Sequence, residues 1–242
     1  MLSKAAESQL RAVTANLWVA EQPLRYFGLK ITTRMTVVKL SNQALVVFSP
    51  ITLNDALQQQ LDHTGPVTHI VAPNLYHYFY LAGCKACYPT ATCWAPPGLA
   101  AGHPDLPIDL ELHPGDRSPW ADIEMLFFDG FKTLGAGGFE SLNEWVFFHS
   151  ASRTLILTDT AFHFDESSSL GVRLAARMSG IYNKLSPSKL EQVATKDKEK
   201  VRAAVSQVLC WDFDRVVMAH GSIIETGGKV AFREGYEAFL GE

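Results

Sequence analysis

Two kinds of hydrophobic run alternate along this chain. From Asn16 to Leu40 the series LWVAEQPLRYFGLKITTRMTVVKL is rich in β-branched and aromatic residues, and TRMTVVKL is its strongest strand. Ser41-Asn42-Gln43 turns the chain, and Ala44 to Ile51 returns as the second strand of a hairpin. Apolar residues are nearly continuous there, as expected of a strand covered on both faces. Pro50 ends that strand. A helix then starts at Asn54, a good N-cap, with Leu53, Ala56, Leu57 and Leu61 at helical spacing until Gly65-Pro66 stops it. Val67 to Ala72 predicts a further strand that breaks at Pro73-Asn74.

Beyond Gly83 a Cys-, Pro- and Gly-rich stretch encloses one short strand, Ala91 to Ala95, and APPGLAAGHPDLP reads as loop. Strands resume at Ile108 to His113 and Ile123 to Gly130, and Gly135 to Gly138 is a flexible turn. Asn143 to His149 and Arg153 to Asp159 predict a hairpin over Ser150-Ala151-Ser152. The last third is mainly helical: SSSLGVRLAARMSGIYNKL and KEKVRAAVSQVL carry i, i+3, i+4 spacing. The strand RVVMAHG follows, then a final helix from Gly228. The opening MLSKAAESQLRAV reads as a frayed helix, so residues 1–15 are expected to lie loose. No repeat, low-complexity tract or linker divides the chain, so 1–242 is expected to be a single domain. Two strand-rich halves, each trailed by helices, predict an α+β fold: a four-layer αβ/βα sandwich.

Composition changes this picture little. With 242 residues, 47% hydrophobic, the chain is long enough for one large core. Its 21 basic and 25 acidic residues give a net charge of −4, and the basic ones are dispersed apart from the mixed run 196–202. Neither nucleic acid nor a membrane is an expected partner on that basis. No run reaches the ~18 apolar residues of a membrane span, and the start lacks the apolar region of a secretory signal, so a cytoplasmic protein is expected. Cys84, Cys87 and Cys93 have one C-x-x-C but no second to complete a four-ligand zinc site, which favours reduced, partly buried thiols over a zinc or redox module.

Four stretches together resemble a known family: TRMTVVKLSNQALVVFSPITL, IVAPNLYH, RTLILTDTAF and VVMAHG. In that order and spacing they are similar to an uncharacterised branch of the metallo-β-lactamase-like superfamily, described as a domain of unknown function. The resemblance covers roughly 16–221 and implies the αββα fold. In active members of the superfamily a T-H-x-H-x-D-H motif, a G-H-T, an acidic strand end and a late histidine hold one or two metal ions, usually zinc. Such an ion lowers the pKa of a bound water towards ~7. This chain departs from that pattern. Its eight histidines include no pair separated by a single residue. Asn74, Tyr76 and His77 stand where the motif has His, Asp and His, and Gly130-Phe131-Lys132 stands in place of G-H-T.

What the resemblance leaves is a reduced set, His77, Asp159 and His220, whose two imidazoles and one carboxylate make a recognised catalytic zinc combination. One zinc or iron ion is implied, or none if the site has eroded fully. Each residue also has a plainer role: His77 among Tyr76, Tyr78, Phe79 and Tyr80 as a packing residue, Asp159 capping a turn, His220 closing a strand. Glu144, where the family branch tends to keep an acid, is placed either to orient a histidine or to pair with Lys132 or Arg153. Asn74 is expected to turn the chain after Pro73, Tyr76 to border a pocket, and His163 to face the same cleft or solvent. His63, His69, His103, His113 and His149 are expected at the surface or in hairpins. The sequence thus supports a single-metal hydrolase of open substrate. The alternative is a non-catalytic scaffold that binds a small molecule or a protein through the aromatics near His77.

Overall fold

The computed structural model of the protein describes residues 8–26, 28–135 and 137–241. Strands β1 (Arg11–Thr14), β2 (Leu17–Tyr26), β3 (Leu29–Lys39) and β4 (Leu45–Phe48) form an antiparallel meander, to which β5 (Val67–Val71), β6 (Thr92–Ala95) and β7 (Leu110–Glu111) add in parallel. Parallel neighbours need crossovers. These run through α1 (Asp55–Thr64), α2 (Leu81–Cys87) and α3 (Leu99–Gly102). Asn54 caps α1 as expected, its Oδ1 accepting from Leu57 N at 2.8 Å.

The second half opens with β8 (Ile123–Phe128), continues through a separate small hairpin of β9 (Lys132–Gly135) and β10 (Gly138–Ser141), and reaches β11 (Glu144–His149) and β12 (Thr154–Ile156). Helices α4 (Leu170–Ser179), α5 (Lys189–Ala194) and α6 (Lys198–Val208) precede β13 (Arg215–Val217), and α7 (Gly228–Leu240) follows it. The sheet order is β13-β12-β11-β8, with β12 and β13 parallel.

Alternation along the strands builds three apolar layers between four layers of structure. Val37, Val47 and Ile70 face outward onto Leu57, Leu61 and Leu81 of the first helices. Val38, Val46 and Val71 face inward onto Trp145, Phe147, Ile156 and Val217 of the second sheet. Val146, Phe148, Leu155 and Val216 face out again onto Val201, Val205, Phe232 and Tyr236 of α6 and α7. Because both faces of the central strands are covered, their sequences read as unbroken apolar runs rather than alternating ones.

The α+β sandwich is as the sequence predicts, with local differences. Residues 1–7 of the expected frayed helix lie outside the described residues, and Arg11–Thr14 is a strand, paired to β2 with Arg11 opposite Val19. The predicted helix over 167–185 is confined to Leu170–Ser179, since Gly180 adopts φ +78° and ends it. Three short helices lay inside stretches read as loop or as a longer helical run. In α2 the burial of Leu81 and Cys84 at i, i+3 decides the matter, and α3 and α5 are shorter still. His69 is not a surface residue: it lies in β5, accepts from Trp94 Nε1 at 3.1 Å and packs edge-on against Trp120. His149 closes its hairpin but is buried, with Nδ1 2.7 Å from Ser152 Oγ.

Burial pushes the Cys84 thiol up to about 12 and that of Cys93 up to about 11. A thiol raised that far holds roughly one part in ten thousand or less as thiolate at pH 7, and the thiolate is the nucleophile. Iodoacetamide at pH 7 should therefore label exposed Cys210 in native protein and spare Cys84 and Cys93, with all four labelled in denaturant. Peptide mapping by mass spectrometry checks this.

Candidate metal centre

Three segments just beyond strand ends supply the site. After β5, Pro73 O accepts from Trp145 N at 2.8 Å, which ties the outgoing chain to the second sheet. Asn74 then turns the backbone as its residue type suggests: its Oδ1 accepts from both Tyr76 N and His77 N at 2.9 Å. That turn sets His77. After β12, residues 158–160 wrap around the carboxylate of Glu144, which is fully buried at the start of β11. Glu144 accepts from Thr158 N (2.9 Å), Asp159 N (2.7 Å) and Thr160 Oγ1 (2.8 Å). The Asn74 amide closes the arrangement, with its Nδ2 donating to Glu144 Oε2 at 2.9 Å and Asp159 Oδ2 at 2.8 Å.

The third segment, after β13, is held by the opposite sheet. Arg34 of β3 is 3% exposed yet charged. Its guanidinium donates to the carbonyl of Met218 and, at 2.5 Å, to that of Gly221, on either side of His220, while pairing with Glu21 at 2.8 Å. Two residues earlier on the same strand, Thr32 O accepts from His220 Nδ1 at 2.8 Å. Gly221 is required here. Its φ is +89°, and a Cβ would come within 2.0 Å of His163 O.

The result is a convergence of three ligand-type side chains. His77 Nε2 lies 3.1 Å from Asp159 Oδ2, His220 Nε2 lies 3.3 Å from Asp159 Oδ1, and the two Nε2 atoms are 3.2 Å apart. The side chains are 10%, 15% and 10% exposed for His77, Asp159 and His220. A carbonyl only accepts, so His220 carries its proton on Nδ1 and turns a bare Nε2 lone pair into the site. His77 engages its own Nδ1 with Ser49 Oγ at 2.5 Å. Three acceptors this close repel unless positive charge lies among them, either a proton on His77 Nε2 or a cation. Four-coordinate ligation with bonds of ~2.0–2.1 Å separates neighbouring ligand atoms by roughly 3.3 Å, so the observed spacings fit a small divalent ion. Among the described residues these three form the one group of His, Cys, Asp or Glu able to bring ligand atoms within 4.8 Å of one another. Cys84, Cys87 and Cys93 do not form such a group.

Electrostatics follow from this packing. Burial raises the Asp159 carboxyl, but His77 and His220 outweigh it and hold the group well below the usual carboxylate range. Burial, then the Asp159 charge, pushes Glu144 upward, against its hydrogen-bond donors. Because its oxygens are engaged as acceptors on both sides, an added proton would point at a donor, and the group is read as a carboxylate. For His77, burial disfavours the charged form, yet Asp159 and Glu144 raise it overall.

Other predicted residues fall around this centre. Glu144 meets neither Lys132 nor Arg153 and positions the aspartate loop rather than a histidine ring. Tyr76 directs its hydroxyl to Glu140 Oε2 at 2.9 Å, towards the β9-β10 hairpin. His163 places Nδ1 3.1 Å from Ser222 O and bridges to Gly221, so it supports the segment following His220. Phe131, in the G-H-T position, is 2% exposed in the outer core. Sequence reading passed over Ser49, Thr32 and Arg34. Arg34 carried a signal, a charge inside an otherwise buried strand. Ser49 carried only its place before Pro50, and its φ of +51° appears only in the fold.

With the geometry in hand, the fold is that of the metallo-β-lactamases. The metallo-β-lactamase from Pontibacter korlensis aligns over 98% of this chain and 100% of its own at 13% identity, TM-score 0.64. VMB-1 aligns over 97% of each chain at 10% identity, TM-score 0.67. The mono-zinc form of FIM-1 from Pseudomonas aeruginosa aligns over 98% of each at 11%, TM-score 0.64. At such identities the likeness is one of fold alone. No curated protein matches the sequence significantly. Residues 14–179 match the family described as Domain of unknown function (DUF4336), and the chain belongs to that family.

Replacing Glu144 by Gln keeps the shape but turns an amide donor towards donors already present. We expect a loss of about 2–3 kcal/mol in urea unfolding, within the range for orphaning buried polar groups. Gly221→Ala should also destabilise, and by more than Ala substitution at exposed Gly115, because the clash with His163 O is with backbone.

Proposed function

We propose that the protein is a metal-dependent hydrolase working with one divalent ion, zinc or iron, held by His77, Asp159 and His220. The observation that carries this reading is the convergence of two imidazole Nε2 atoms and a carboxylate from three separate strand ends. An ion bound there supplies Lewis acidity and makes hydroxide available from water near neutral pH. The chain's own residues do the rest. Thr32 O and Ser49 Oγ orient the two imidazoles, and orienting groups of this kind govern ligand basicity and affinity. Asn74 and Glu144 fix the Asp159 carboxylate, and Phe162 stacks beside His220, with ring centroids 6.3 Å apart, to cover one side. One structure of similar fold is described as a mono-zinc form, so a single ion has been seen on this fold. The superfamily resemblance leaves esters, thioesters, amides and phosphodiesters open as substrates. A scaffold binding through the aromatics near His77 has less support, because Tyr76 turns to Glu140 and Tyr78 stacks on Phe79 and His103 rather than on the cleft.

Elemental analysis of protein purified without chelator, before and after exposure to zinc or ferrous iron, tests the reading. About one ion per chain is expected, falling to near zero in Asp159→Ala and His220→Ala, with ester or phosphodiester hydrolysis lost in parallel. Wild-type protein that takes up no ion from either solution would end this proposal.

A further inference from the structure

Helix α4 has two apolar faces. Val172 and Ala176 are buried with Phe164 and Ile181 against Leu29 and Ile31 of β3. On the other side Leu170, Leu174 and Met178 recur at steps of four and stay 79%, 60% and 70% exposed. At ~100° per residue these three occupy one narrow sector, with Arg173 and Arg177 beside it. The tip of the β2-β3 hairpin meets the first turn of the helix, where a Cβ on Gly171 would lie 3.9 Å from Leu29. That tip adds half-exposed Tyr26 and the exposed pair Arg25 and Lys30.

Arg25 and Lys30 stand directly opposite one another in the strand register. Like charges so placed repel and weaken a hairpin, a cost that an external anion would remove. Exposed Lys184 follows α4 on the chain that bridges back to Phe164 through Tyr182. Arg177 is held over the Tyr182 ring at 4.0 Å, not against a carboxylate. None of these five cations forms an ion pair among the described residues. Neither 22–33 nor 167–184 contains an Asp or Glu. A chain of net charge −4 thus sets half-exposed Arg173 and exposed Arg177 beside an exposed apolar stripe, with Arg25, Lys30 and Lys184 on the segments that adjoin the helix and Asp165 and Glu166 just before it.

We propose that this face docks the protein on an anionic lipid surface. Leucine and methionine on one sector of a helix, flanked by arginine, are what an interfacial helix presents to the headgroup boundary. Basic residues near an anionic leaflet add attraction that decays within a Debye length. A second copy is a poor occupant, because a two-fold contact would set the five cations against themselves. The face also adjoins the metal centre: Phe162 packs against the buried side of α4 and stacks on His220. Docking would bring the cleft to the interface. The inference stands independently of the hydrolase reading.

Co-sedimentation with vesicles of phosphatidylcholine, with and without about one quarter phosphatidylglycerol, tests it. Wild type should pellet with the anionic vesicles only and be released by added salt. Leu174→Glu with Met178→Glu, and separately Arg173→Glu with Arg177→Glu, should each weaken binding by roughly tenfold or more with circular dichroism unchanged. Arg117→Glu with Arg233→Glu changes net charge equally at exposed positions elsewhere and should bind nearly as wild type. The proposal is overturned by any of three results. One is absence of binding to anionic vesicles at low salt; another is an equal loss in the Arg117/Arg233 control. The third is a wild-type dimer that Leu174→Glu converts to monomer.

Discussion

Two carboxylates sit next to each other behind the cleft, and one side-chain amide separates them. Glu144 and Asp159 would repel strongly at that depth, since burial removes the water that screens them. Asn74 offers a hydrogen to each, backbone N–H groups of residues 158 and 159 add to Glu144, and the two imidazoles face Asp159. Remove the amide and both the chain turn at His77 and the aspartate loop lose their common anchor. The same side chain fixes His77 through its oxygen and Asp159 through its nitrogen. The residue that stands in a histidine's place thus contributes structure where the resembled motif contributes a ligand.

The third converging side chain depends on a different device. His220 belongs to the second sheet, yet it is oriented from the first, by Thr32 and by the buried guanidinium of Arg34. A buried arginine is costly unless its hydrogens are used. Here it spans the gap between the sheets, bonds two carbonyls and is neutralised by Glu21. The sandwich and the site are therefore coupled: the distance between sheets enters the spacing between His220, after β13, and His77, after β5 of the other sheet.

Charge is distributed as unevenly on the outside as within. The interior of the cleft gathers carboxylates, and the face formed by α4 and the β2-β3 tip gathers arginine and lysine beside exposed leucine and methionine. No helix among the described residues is long and apolar enough to cross a membrane.

Periodicity in the sequence determined the order of the longer elements, the covered strands from Leu17 to Val71, the cap at Asn54 and the sandwich class, because burial on both faces leaves an unbroken apolar record. The three side chains that converge were legible through residue type and position after strands, together with the family resemblance. Short helices such as α2 escaped, since two buried positions in seven residues make too little pattern. Glu144 was visible, but its partners were not, because they lie 14 to 70 positions away in sequence. Ser49, Thr32 and the basic face were decided by tertiary structure alone. A hydrogen bond accepted by a main-chain carbonyl has no residue signature, and charges dispersed along a chain become a field only when folding brings them to one side.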